Sequence, residues 1–422
     1  MRALPPLHDW LALEHRVAEI LTEQEIHGWY FDESKGQQLE SHLRREMEEV
    51  TEILRGQFPL IGGKMFTPKR NNASQGYIEG SQLQRLIEFN PTSRDHIAWI
   101  LQNRLKITLT QTTTTGKLII DEITLKEIDH PFCKLCAKAL DLKKKLGMIS
   151  QGVNAWLKLC TTSSRLHHHC SVSTNTFRCA HRKPNLAQVP ADEKFRKLFR
   201  ASPNKVMVGA DLSGIELRML AHYLGRYDGG RYADILLNDD IHQVNADKIG
   251  ITRRQVKTVT YAFLYGAGNL KLGMSYDNSL TPAKASKKGQ EIRKAYVEAI
   301  DGLAELLAAV NTKAKQGYLM VIDQRKVLVD SPHKGLNYLL QCGAGVVAKR
   351  WMVIADDACK NHIHTKQLAF VHDELQYETN PDGAKILMSV LEESARLAGE
   401  YYNLRCPIAA EAKQGLTWAD VH

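Results

Sequence analysis

The sequence predicts an α+β fold, in which runs of helices accompany a small cluster of antiparallel strands. Helical periodicity dominates the first third of the chain and returns after residue 253. Strand patterns are few and short: the apolar run VMVGAD at 206–211, a pair near 318–329 and the hairpin LAFVHDELQYE at 368–378. Strands and helices do not alternate regularly, so a doubly wound parallel sheet is disfavoured.

The first helices are predicted from apolar residues at three- and four-residue intervals and from end signals. One such stripe covers 9–26, and a second helix with charges of alternating sign covers about 38–55. The stretch 58–76 is rich in Gly, Pro and Asn and is predicted to be an exposed loop. Ser93 is the predicted cap of a helix that runs to about Gln102.

The later elements follow from the same signals. Residues 107–120 alternate and are β-branched, which predicts a small hairpin or an extended arm. A long helix over about 131–148 carries three consecutive lysines near its end. Further helices are predicted over 213–224, 253–266, 288–316 and 336–360.

Composition bounds the class of protein. With 422 residues, 43% hydrophobic and 24% charged, the chain is an ordinary globular protein of two or three domains. No apolar run approaches the ~18 residues of a membrane span, so we expect a cytoplasmic protein without a membrane partner. The net charge is +9, and residues 61–200, with 23 basic and 10 acidic side chains, carry +13. Such a concentration suggests a nucleic-acid partner, or simply a solvated basic face.

The eight cysteines are not expected to form a disulfide framework in so long a chain. Cys133 and Cys136 form a C-x-x-C, and Cys160, the histidines at 167–169 and Cys170 follow, so a zinc site could be assembled on paper. However, the C-x-x-C lies within a predicted helix, and a second one is missing. Free thiols are therefore the expected state.

Two carboxylate positions stand out as candidate chemistry. Asp211 ends an apolar strand, and Asp373 with Glu374 lies at the turn of an apolar hairpin. Carboxylates beside a hydrophobic core are costly unless they are hydrogen-bonded or paired with a metal. Two aspartates brought together could hold two divalent cations for phosphoryl transfer. Alternatively each is a simple turn or cap residue, and their spacing does not show that they meet.

The helix over 253–266 repeats functional side chains every four residues. Arg253, Lys257, Tyr261 and Tyr265 share one slowly turning face. Two cations followed by two aromatic rings would clamp a triphosphate at one end and stack on a sugar and base at the other. An ordinary amphipathic helix would explain the same spacing.

Together these segments resemble a known family. Residues 211–218 (DLSGIELR) resemble motif A of the family A DNA polymerases (the DNA polymerase I type), the helix over 253–266 resembles motif B, and 371–374 (VHDE) resembles motif C. Residues 176–190 and 331–341 resemble the segments that precede motifs A and C. The resemblance covers 10–422, strongly from 176 onward, and is greatest to the replicative polymerases of T-seven-like podophages.

The resemblance implies a right-hand polymerase with a thumb, a palm carrying the antiparallel sheet, and helical fingers. The implied boundaries are thumb with N-terminal helices 1–170, palm 171–235, fingers 236–330 and palm 331–422. Because 210 residues precede Asp211, we expect the 3′–5′ exonuclease domain to be lacking, so that proofreading would come from a separate exonuclease. The loop over 58–88 is short, so no thioredoxin clamp is expected. We expect a monomer in the bacterial host cytoplasm, with other replisome proteins as further partners.

The resemblance assigns the metal and nucleotide roles residue by residue. Asp211, Asp373 and the carbonyl of Leu212 would bind two Mg²⁺ ions, with Mn²⁺ as an alternative, and Glu374 is a secondary acidic residue. The residues implied to bind the incoming dNTP are Arg253 and Lys257 on the phosphates, His242 near the β-phosphate, Tyr261 against the sugar, and Tyr265 near the nascent base pair. Lys257 would also protonate the leaving pyrophosphate, and the Tyr261 hydroxyl implies tolerance of dideoxynucleotides.

Glu216 has two interpretations. Together with Ser213 it fits a helix capping box. The matching family residue blocks a ribose 2′-OH and so selects deoxynucleotides.

The primer-template DNA would be held by two further sets of residues. Arg178, Asn337, Gln341 and His372 match positions that contact the minor groove, whose acceptors are common to all correct base pairs. Lys143, Lys144 and Lys145 would grip phosphates from a thumb helix, or form a solvated face.

Two residues depart from the family pattern, because Phe177 and Gln324 stand where glycine is usual. The resemblance predicts a template-directed DNA polymerase that adds dNTPs to a primer 3′-OH. The alternatives are a single-subunit RNA polymerase relative and a catalytically silent primer-template binding protein.

Overall fold

The protein separates into two compact units. In the computed structural model, which describes residues 8–107, 109, 118–277, 280–360 and 364–422, one unit comprises 1–33 with 159–422, and the other comprises 34–158. Helices and antiparallel strands make up both units, which confirms the α+β class. The division into thumb, palm and fingers at residues 170, 235 and 330 remains a prediction.

The regular elements alternate irregularly along the chain. The helices are α1 (Asp9–His27), α2 (Glu33–Gln57), α3 (Arg94–Asn103), α4 (Glu122–Glu127), α5 (Pro131–Leu146), α6 (Trp156–Leu159), α7 (Glu193–Arg196), α8 (Ile215–Leu224), α9 (Arg231–Asn238), α10 (Ile241–Ile249), α11 (Arg253–Leu264), α12 (Asn269–Tyr276), α13 (Pro282–Ala299), α14 (Leu303–Ala314), α15 (Gly335–Cys359) and α16 (Ala384–Tyr401). The strands are β1 (Trp29–Phe31), β2 (Leu60–Phe66), β3 (Leu83–Glu88), β4 (Arg165–Leu166), β5 (His169–Ser171), β6 (Ala180–Arg182), β7 (Phe199–Arg200), β8 (Val206–Leu212), β9 (Tyr318–Met320), β10 (Lys326–Leu328), β11 (Thr365–Val371), β12 (Glu374–Thr379) and β13 (Ala410–Gly415).

A four-stranded antiparallel sheet organises the larger unit, with strand order β11-β12-β8-β13. Its central strands are buried: all six residues of β12 are buried, although four of them are polar, and β8 is buried from Met207 to Ala210. Helix α16 packs on β8 and β13, and α1 packs on β11. In the register of the sheet, Asp211 at the end of β8 is opposite Glu374 on one side and Glu411 on the other.

The long helix α15 lies at the centre of this unit and contacts α1, α8, α11, α14 and α16. A glycine allows one of its close approaches. A Cβ at Gly345 would lie 3.2 Å from the Thr176 carbonyl oxygen and 3.3 Å from Phe177. The segment that carries Arg178 therefore sits directly against the helix backbone.

Two predicted elements differ from the structure. The predicted loop over 58–76 contains β2, which pairs with β3 across a register shift between Gly62 and Met65; these strands are largely exposed, so they lack the apolar alternation that identifies a strand. The predicted single helix over 288–316 is two helices, α13 and α14, separated at Gly302, whose φ is +78°. Most of the predicted hairpin over 107–120 lies outside the described residues.

Phe177 and Gln324, which replace the usual glycines, keep a glycine-like backbone. Their φ angles are +60° and +66°, in the left-handed region that non-glycine residues rarely adopt. The Arg325 guanidinium lies 4.7 Å from the centre of the Phe177 ring. This contact with Arg325, at a distance typical of a cation–π interaction, offsets part of the strain.

All eight cysteines are free, as the sequence predicts. Cys133 and Cys136 are buried on α5, and burial raises the pKa of Cys133 to about 11. Within the described residues, neither belongs to a group of metal-ligating side chains. In the same part of the chain, no helix is both long and apolar enough to cross a membrane.

A buried carboxylate makes stability depend on pH. Burial raises the pKa of Glu378, but hydrogen bonds from His27 Nε2 (2.7 Å) and from the Ser202 N–H (2.8 Å) and hydroxyl (2.6 Å) outweigh it, so the pKa falls to about 2. This stabilisation is present above the ordinary pKa of 4.5 and is lost as the pH falls toward 2.

We therefore expect Glu378→Gln to destabilise the protein by about 3 kcal/mol at pH 7 and by about 2 kcal/mol at pH 3.5. Urea unfolding followed by circular dichroism at both pH values measures the difference. The exposed Glu298→Gln is the matched control and should change stability by less than ~0.5 kcal/mol. An equal loss for Glu378→Gln at both pH values would contradict the prediction.

Candidate active site

The structure brings the two predicted aspartates together. Asp211 is the one exposed residue of β8, and Asp373 lies in the turn between β11 and β12. The backbone N–H of Leu212 donates a hydrogen bond to the Asp373 carbonyl at 3.0 Å, which fixes the turn beside the end of β8. The pairing of β8 with β12 thus brings together two aspartates that are 162 positions apart in the sequence.

The aspartates form an electrostatically strained pair. Burial, Asp211 and Glu216 raise the pKa of Asp373 to about 7, and Arg178 opposes this shift. Although part of the Asp211 residue is exposed, partial burial of its carboxyl group and the charge of Glu374 raise its pKa to about 6. Both shifts mean that the ionised carboxylates lack sufficient positive charge nearby. Paired carboxylate oxygens are the donors that Mg²⁺ prefers, so these residues fit a divalent cation.

The Glu374 carboxylate is occupied by partners within the protein. It is buried, its Oε1 accepts hydrogen bonds from Gln376 Nε2 (2.6 Å) and Trp418 Nε1 (2.5 Å), and its Oε2 lies 3.2 Å from His422 Nδ1. Its charge acts on the site mainly by raising the pKa of Asp211. Trp418 and His422 were not among the predicted site residues. Each lies more than 40 positions from Glu374, and no local sequence signal links either of them to it.

Glu216 anchors a polar network rather than a helix cap. Its Oε1 accepts hydrogen bonds from Arg178 Nη2 at 2.7 Å and from the Tyr265 hydroxyl at 2.9 Å. The capping box expected with Ser213 is wrong: the N-cap of α8 is Gly214, which has φ +54° and makes no side-chain cap hydrogen bond. The left-handed Gly214 turn directs the Glu216 side chain into the network, where only 8% of the residue is exposed.

The network also accounts for two perturbed pKa values. Burial lowers the pKa of Arg178, but Glu216 and Tyr265 outweigh it and raise the pKa overall. Burial and Glu216 raise the pKa of Tyr265 to about 12, so its hydroxyl remains a proton donor. Tyr265 itself follows the last residue of α11 as its C-cap, at the end of the predicted face.

Helix α11 presents the predicted cationic face. Thr252 caps it and forms a capping box with Gln255. Arg253 Nε lies 2.5 Å from Asp240 Oδ2, while Lys257 is exposed and makes no hydrogen bond or ion pair within the described part of the chain. Val256, Val259, Phe263 and Leu264 are buried and anchor the helix, as predicted.

The other end of this face approaches the aspartates. The half-buried Tyr261 has a raised pKa because of burial and the charges of Glu216 and Asp373. Its ring centre lies 6.1 Å from that of His242, a buried residue on α10. Burial lowers the pKa of His242, and Lys257 and Arg253 lower it further. Asp240, which caps α10 and pairs with Arg253, was not among the predicted site residues.

The residues predicted to contact the minor groove lie in three places: on α15, in the β11–β12 turn and in the segment before β6. Asn337 Nδ2 on α15 donates to the Leu264 carbonyl at 2.9 Å and so satisfies the end of α11. Gln341 follows one turn later on α15 and is half-buried. His372 has φ +61° in the hairpin turn, and its Nδ1 is buried without a partner among the described residues. DNA contact by these residues and by Arg178 stays a prediction.

The three predicted DNA-gripping lysines belong to the other unit, in the last turn of α5. Lys143 Nζ donates to the Thr92 carbonyl at 3.2 Å, and Lys145 Nζ pairs with Asp141 at 2.8 Å. Lys143 and Lys144 are exposed and line a cavity of about 980 Å³. Their binding of DNA phosphates stays a prediction.

The pieces define a class of protein. A carboxylate pair that fits divalent cations lies near a helix face with cations at one end and aromatic rings at the other. Such a site can hold a polyphosphate by its charge while one phosphate is transferred. On an antiparallel sheet, this combination is typical of a nucleic-acid polymerase.

Comparison with known proteins identifies the family: the chain belongs to DNA polymerase family A, whose family model matches residues 70–420. The DNA-directed DNA polymerases of Enterobacteria phage T3 and Escherichia phage T7 are each 30% identical to it, over 97% of this chain and 70% of the relative. DNA polymerase I of Caldicellulosiruptor bescii is 27% identical, over 78% of this chain and 41% of the relative. The family and its polymerase class, inferred from the motifs, are confirmed.

A solved structure shows the same fold. The POL domain of Pol1 from M. smegmatis, in complex with DNA primer-template and dNTP, matches with a TM-score of 0.78 at 21% sequence identity. The match covers 97% of this chain and 70% of that chain. The right-hand polymerase fold is therefore confirmed, and polymerases of family A generally use divalent metal ions.

Proposed function

We propose that the protein is a template-directed DNA polymerase in which a primer 3′-OH attacks the α-phosphate of a dNTP. The observation that carries the proposal is the meeting of Asp211 and Asp373 at the sheet end, with raised pKa values of about 6 and 7. Asp211, Asp373 and the Leu212 carbonyl would hold two Mg²⁺ ions, or Mn²⁺. When bound, the two ions activate the attacking oxygen and stabilise the leaving one.

The chain's own residues bind and orient the nucleotide. Lys257 is exposed and unpaired within the described residues, so it is available to a triphosphate and can protonate the leaving pyrophosphate. Arg253 would exchange Asp240 for a phosphate, since its ion pair is exposed and therefore weak. His242 would lie near the β-phosphate, and Tyr261 would pack against the sugar. Tyr265 would pack near the nascent base pair.

Further parts of the proposal concern DNA and proofreading. Arg178, Asn337, Gln341 and His372 would read the minor groove, and Lys143, Lys144 and Lys145 would grip the duplex backbone. Synthesis would proceed without an intrinsic 3′–5′ exonuclease and without a thioredoxin clamp. The phage T3 and T7 relatives favour replication in a bacterial host cytoplasm.

Extension of a labelled primer-template with Mg²⁺ tests this function. We expect extension with dNTPs, little extension with rNTPs, and no shortening of the primer when nucleotides are omitted. No extension by the wild type would leave the silent binding protein as the better alternative. Preferential use of rNTPs would favour the RNA polymerase alternative. Shortening of the primer would contradict the proposal that the protein has no 3′–5′ exonuclease activity.

Glu216 should determine selection of the sugar. Replacing Glu216 with alanine opens the space that a 2′-OH would need, and we expect relative use of rNTPs to rise by about 10–200-fold. Single-nucleotide kcat/KM values for matched dNTP and rNTP pairs measure the change. Glu216→Gln keeps the volume and can still accept from Arg178 and Tyr265, so it should preserve discrimination. If Glu216→Ala discriminated between dNTPs and rNTPs as well as the wild type, Glu216 would not be the residue that selects the sugar.

A further inference from the structure

Three side chains that polymerisation does not use converge in the core of the larger unit. His168, Cys170 and His181 are all buried, and one potential ligand atom of each lies within 4.8 Å of the others. The arrangement is built by two short strands: Cys170 on β5 is directly opposite His181 on β6, and His168 immediately precedes β5. Local pairing therefore holds two of the three side chains together.

Three of the contacts in the cluster are close to the separations between ligands of one metal ion. Cys170 Sγ lies 3.2 Å from His181 Nδ1, and the Gln24 side-chain amide lies 3.1 Å from His168 Nε2 and 3.5 Å from Cys170 Sγ. Ligands on a tetrahedral zinc ion, with bonds of ~2.1 Å to nitrogen or oxygen and ~2.3 Å to sulfur, are separated by about 3.3–3.6 Å. The oxygen and nitrogen of an amide are interchangeable by rotation, so Gln24 can present its oxygen to the cluster.

Hydrogen bonds inside the cluster use only one nitrogen of each imidazole, His168 Nε2 and His181 Nδ1. In the described part of the chain, His168 Nδ1 and His181 Nε2 are buried without a partner. His168 is completely buried, where each unsatisfied polar atom costs about 1–3 kcal/mol. Burial also lowers the pKa of His168 to about 3 and that of His181 to about 4, so both imidazoles are neutral donors at pH 7.

We propose that His168, Cys170 and His181 bind one zinc ion, with the Gln24 amide oxygen as the fourth ligand. On binding, the Cys170 thiol releases its proton to solvent and the thiolate bonds to the ion, while the imidazoles bind without losing a proton. One thiolate and two imidazoles favour zinc over the oxygen-seeking Mg²⁺, so the ions of polymerisation would not compete for this site.

The position of the site suggests a structural role. Gln24 belongs to α1, and its Oε1 accepts a hydrogen bond at 2.8 Å from Gln367 on β11, the strand that leads to the turn at Asp373. When Gln24 turns its oxygen to the zinc ion, the Gln367 amide turns as well, so that its oxygen accepts from Gln24 Nε2 and its nitrogen donates to the Tyr377 hydroxyl oxygen. The His181 ring centre lies 6.3 Å from that of His372, the residue before Asp373. A zinc ion here would fasten α1 and the β5–β6 hairpin behind that turn. The ligand set differs from the one considered from sequence, which used Cys133 and Cys136 and missed His181.

Cobalt substitution of the untagged, chelator-treated full chain tests the proposal. We expect one equivalent of Co²⁺ to produce a thiolate-to-cobalt charge-transfer band and tetrahedral ligand-field bands, both abolished by one equivalent of Zn²⁺. The carboxylates of the polymerase site cannot produce a thiolate band. The double variant Asp211→Asn, Asp373→Asn should therefore retain the thiolate band while it loses primer extension. Loss of the zinc site can in this way be distinguished from loss of the polymerase site.

Matched cysteine variants locate the ligand. Cys170→Ser should lose the charge-transfer band, whereas Cys136→Ser, which removes another buried thiol, should keep it. His181→Gln should weaken Co²⁺ binding at least tenfold. This variant tests the site if Cys170→Ser does not fold. Zn²⁺ should raise the midpoint of thermal unfolding of the wild type by several degrees, with no rise in Cys170→Ser. A wild type without the thiolate band, or a band that survives in Cys170→Ser, would overturn the proposal.

Discussion

Replacing Asp373 with asparagine should reduce primer extension by at least ~10³-fold while duplex affinity changes by no more than about threefold. Asparagine is nearly isosteric with aspartate, so the hydrogen bond from the Leu212 N–H to the backbone carbonyl of residue 373 can persist. The substitution removes one of the two charges that would hold the metal ions on which transition-state stabilisation depends. Binding of primer-template depends on other residues and should survive.

The same variant should be more stable than the wild type in the absence of metal. The pKa of Asp373 is raised from its ordinary 3.8 to about 7, so ionisation opposes folding as the pH rises through that window. Asp373→Asn removes this penalty and should gain on the order of 1–2 kcal/mol at pH 8 and almost nothing below pH 4. Lost activity with gained stability is the behaviour expected of a residue kept for function.

Rapid-quench primer extension, DNA binding by anisotropy, and urea unfolding with a chelator measure these three quantities. Asp382→Asn is the matched control, since Asp382 is an exposed aspartate in the same unit whose loss should change none of them. Continued synthesis by Asp373→Asn would remove Asp373 from the metal site. Loss of stability at pH 8 would mean that the carboxylate is a structural residue instead.

The local parts of this site could be predicted from the sequence. An apolar run ending in Asp211 specifies a buried strand, and the four-residue spacing from Arg253 to Tyr261 specifies one helix face, because both depend only on neighbours along the chain. The meeting of Asp211 and Asp373 depends on strand pairing across 162 residues. Only the resemblance to a family could suggest that meeting, and spacing alone left it open.

The errors have the same physical origin. Ser213 and Glu216 have the spacing of a capping box, but the left-handed turn at Gly214 and two distant hydrogen-bond donors, Arg178 and Tyr265, give Glu216 another role. Strand β2 was not predicted because only one of its seven residues is buried and its side chains carry no apolar alternation. In each case, long-range pairing decided a structure that local propensity left ambiguous.

Lys257→Ala should lower the rate of nucleotide incorporation by about 10²–10³-fold, with little change in DNA affinity. The Lys257 side chain is exposed on the α11 face that leads to Tyr261 and has no ionic partner in the described residues, so nothing in the fold depends on its charge. Its removal takes away both a phosphate contact and a proton donor, and each is typically worth one to a few powers of ten. The control variant Arg254→Ala removes the same charge from the preceding turn of α11. It should lower the rate of nucleotide incorporation by less than about threefold.

The proton-donor role can be separated from the phosphate contact by changing the leaving group. If Lys257 protonates the departing pyrophosphate, its loss should matter most for dNTP analogues whose β,γ-bridge makes the leaving group more basic, and least for those that make it more acidic. In a plot of log rate against leaving-group pKa, Lys257→Ala should therefore show a steeper negative slope than the wild type or Arg254→Ala. A parallel line, displaced downward by the same factor for every analogue, would mean that Lys257 only holds the phosphates. Such a uniform loss would leave electrostatic binding, without proton transfer, as the whole contribution of this lysine.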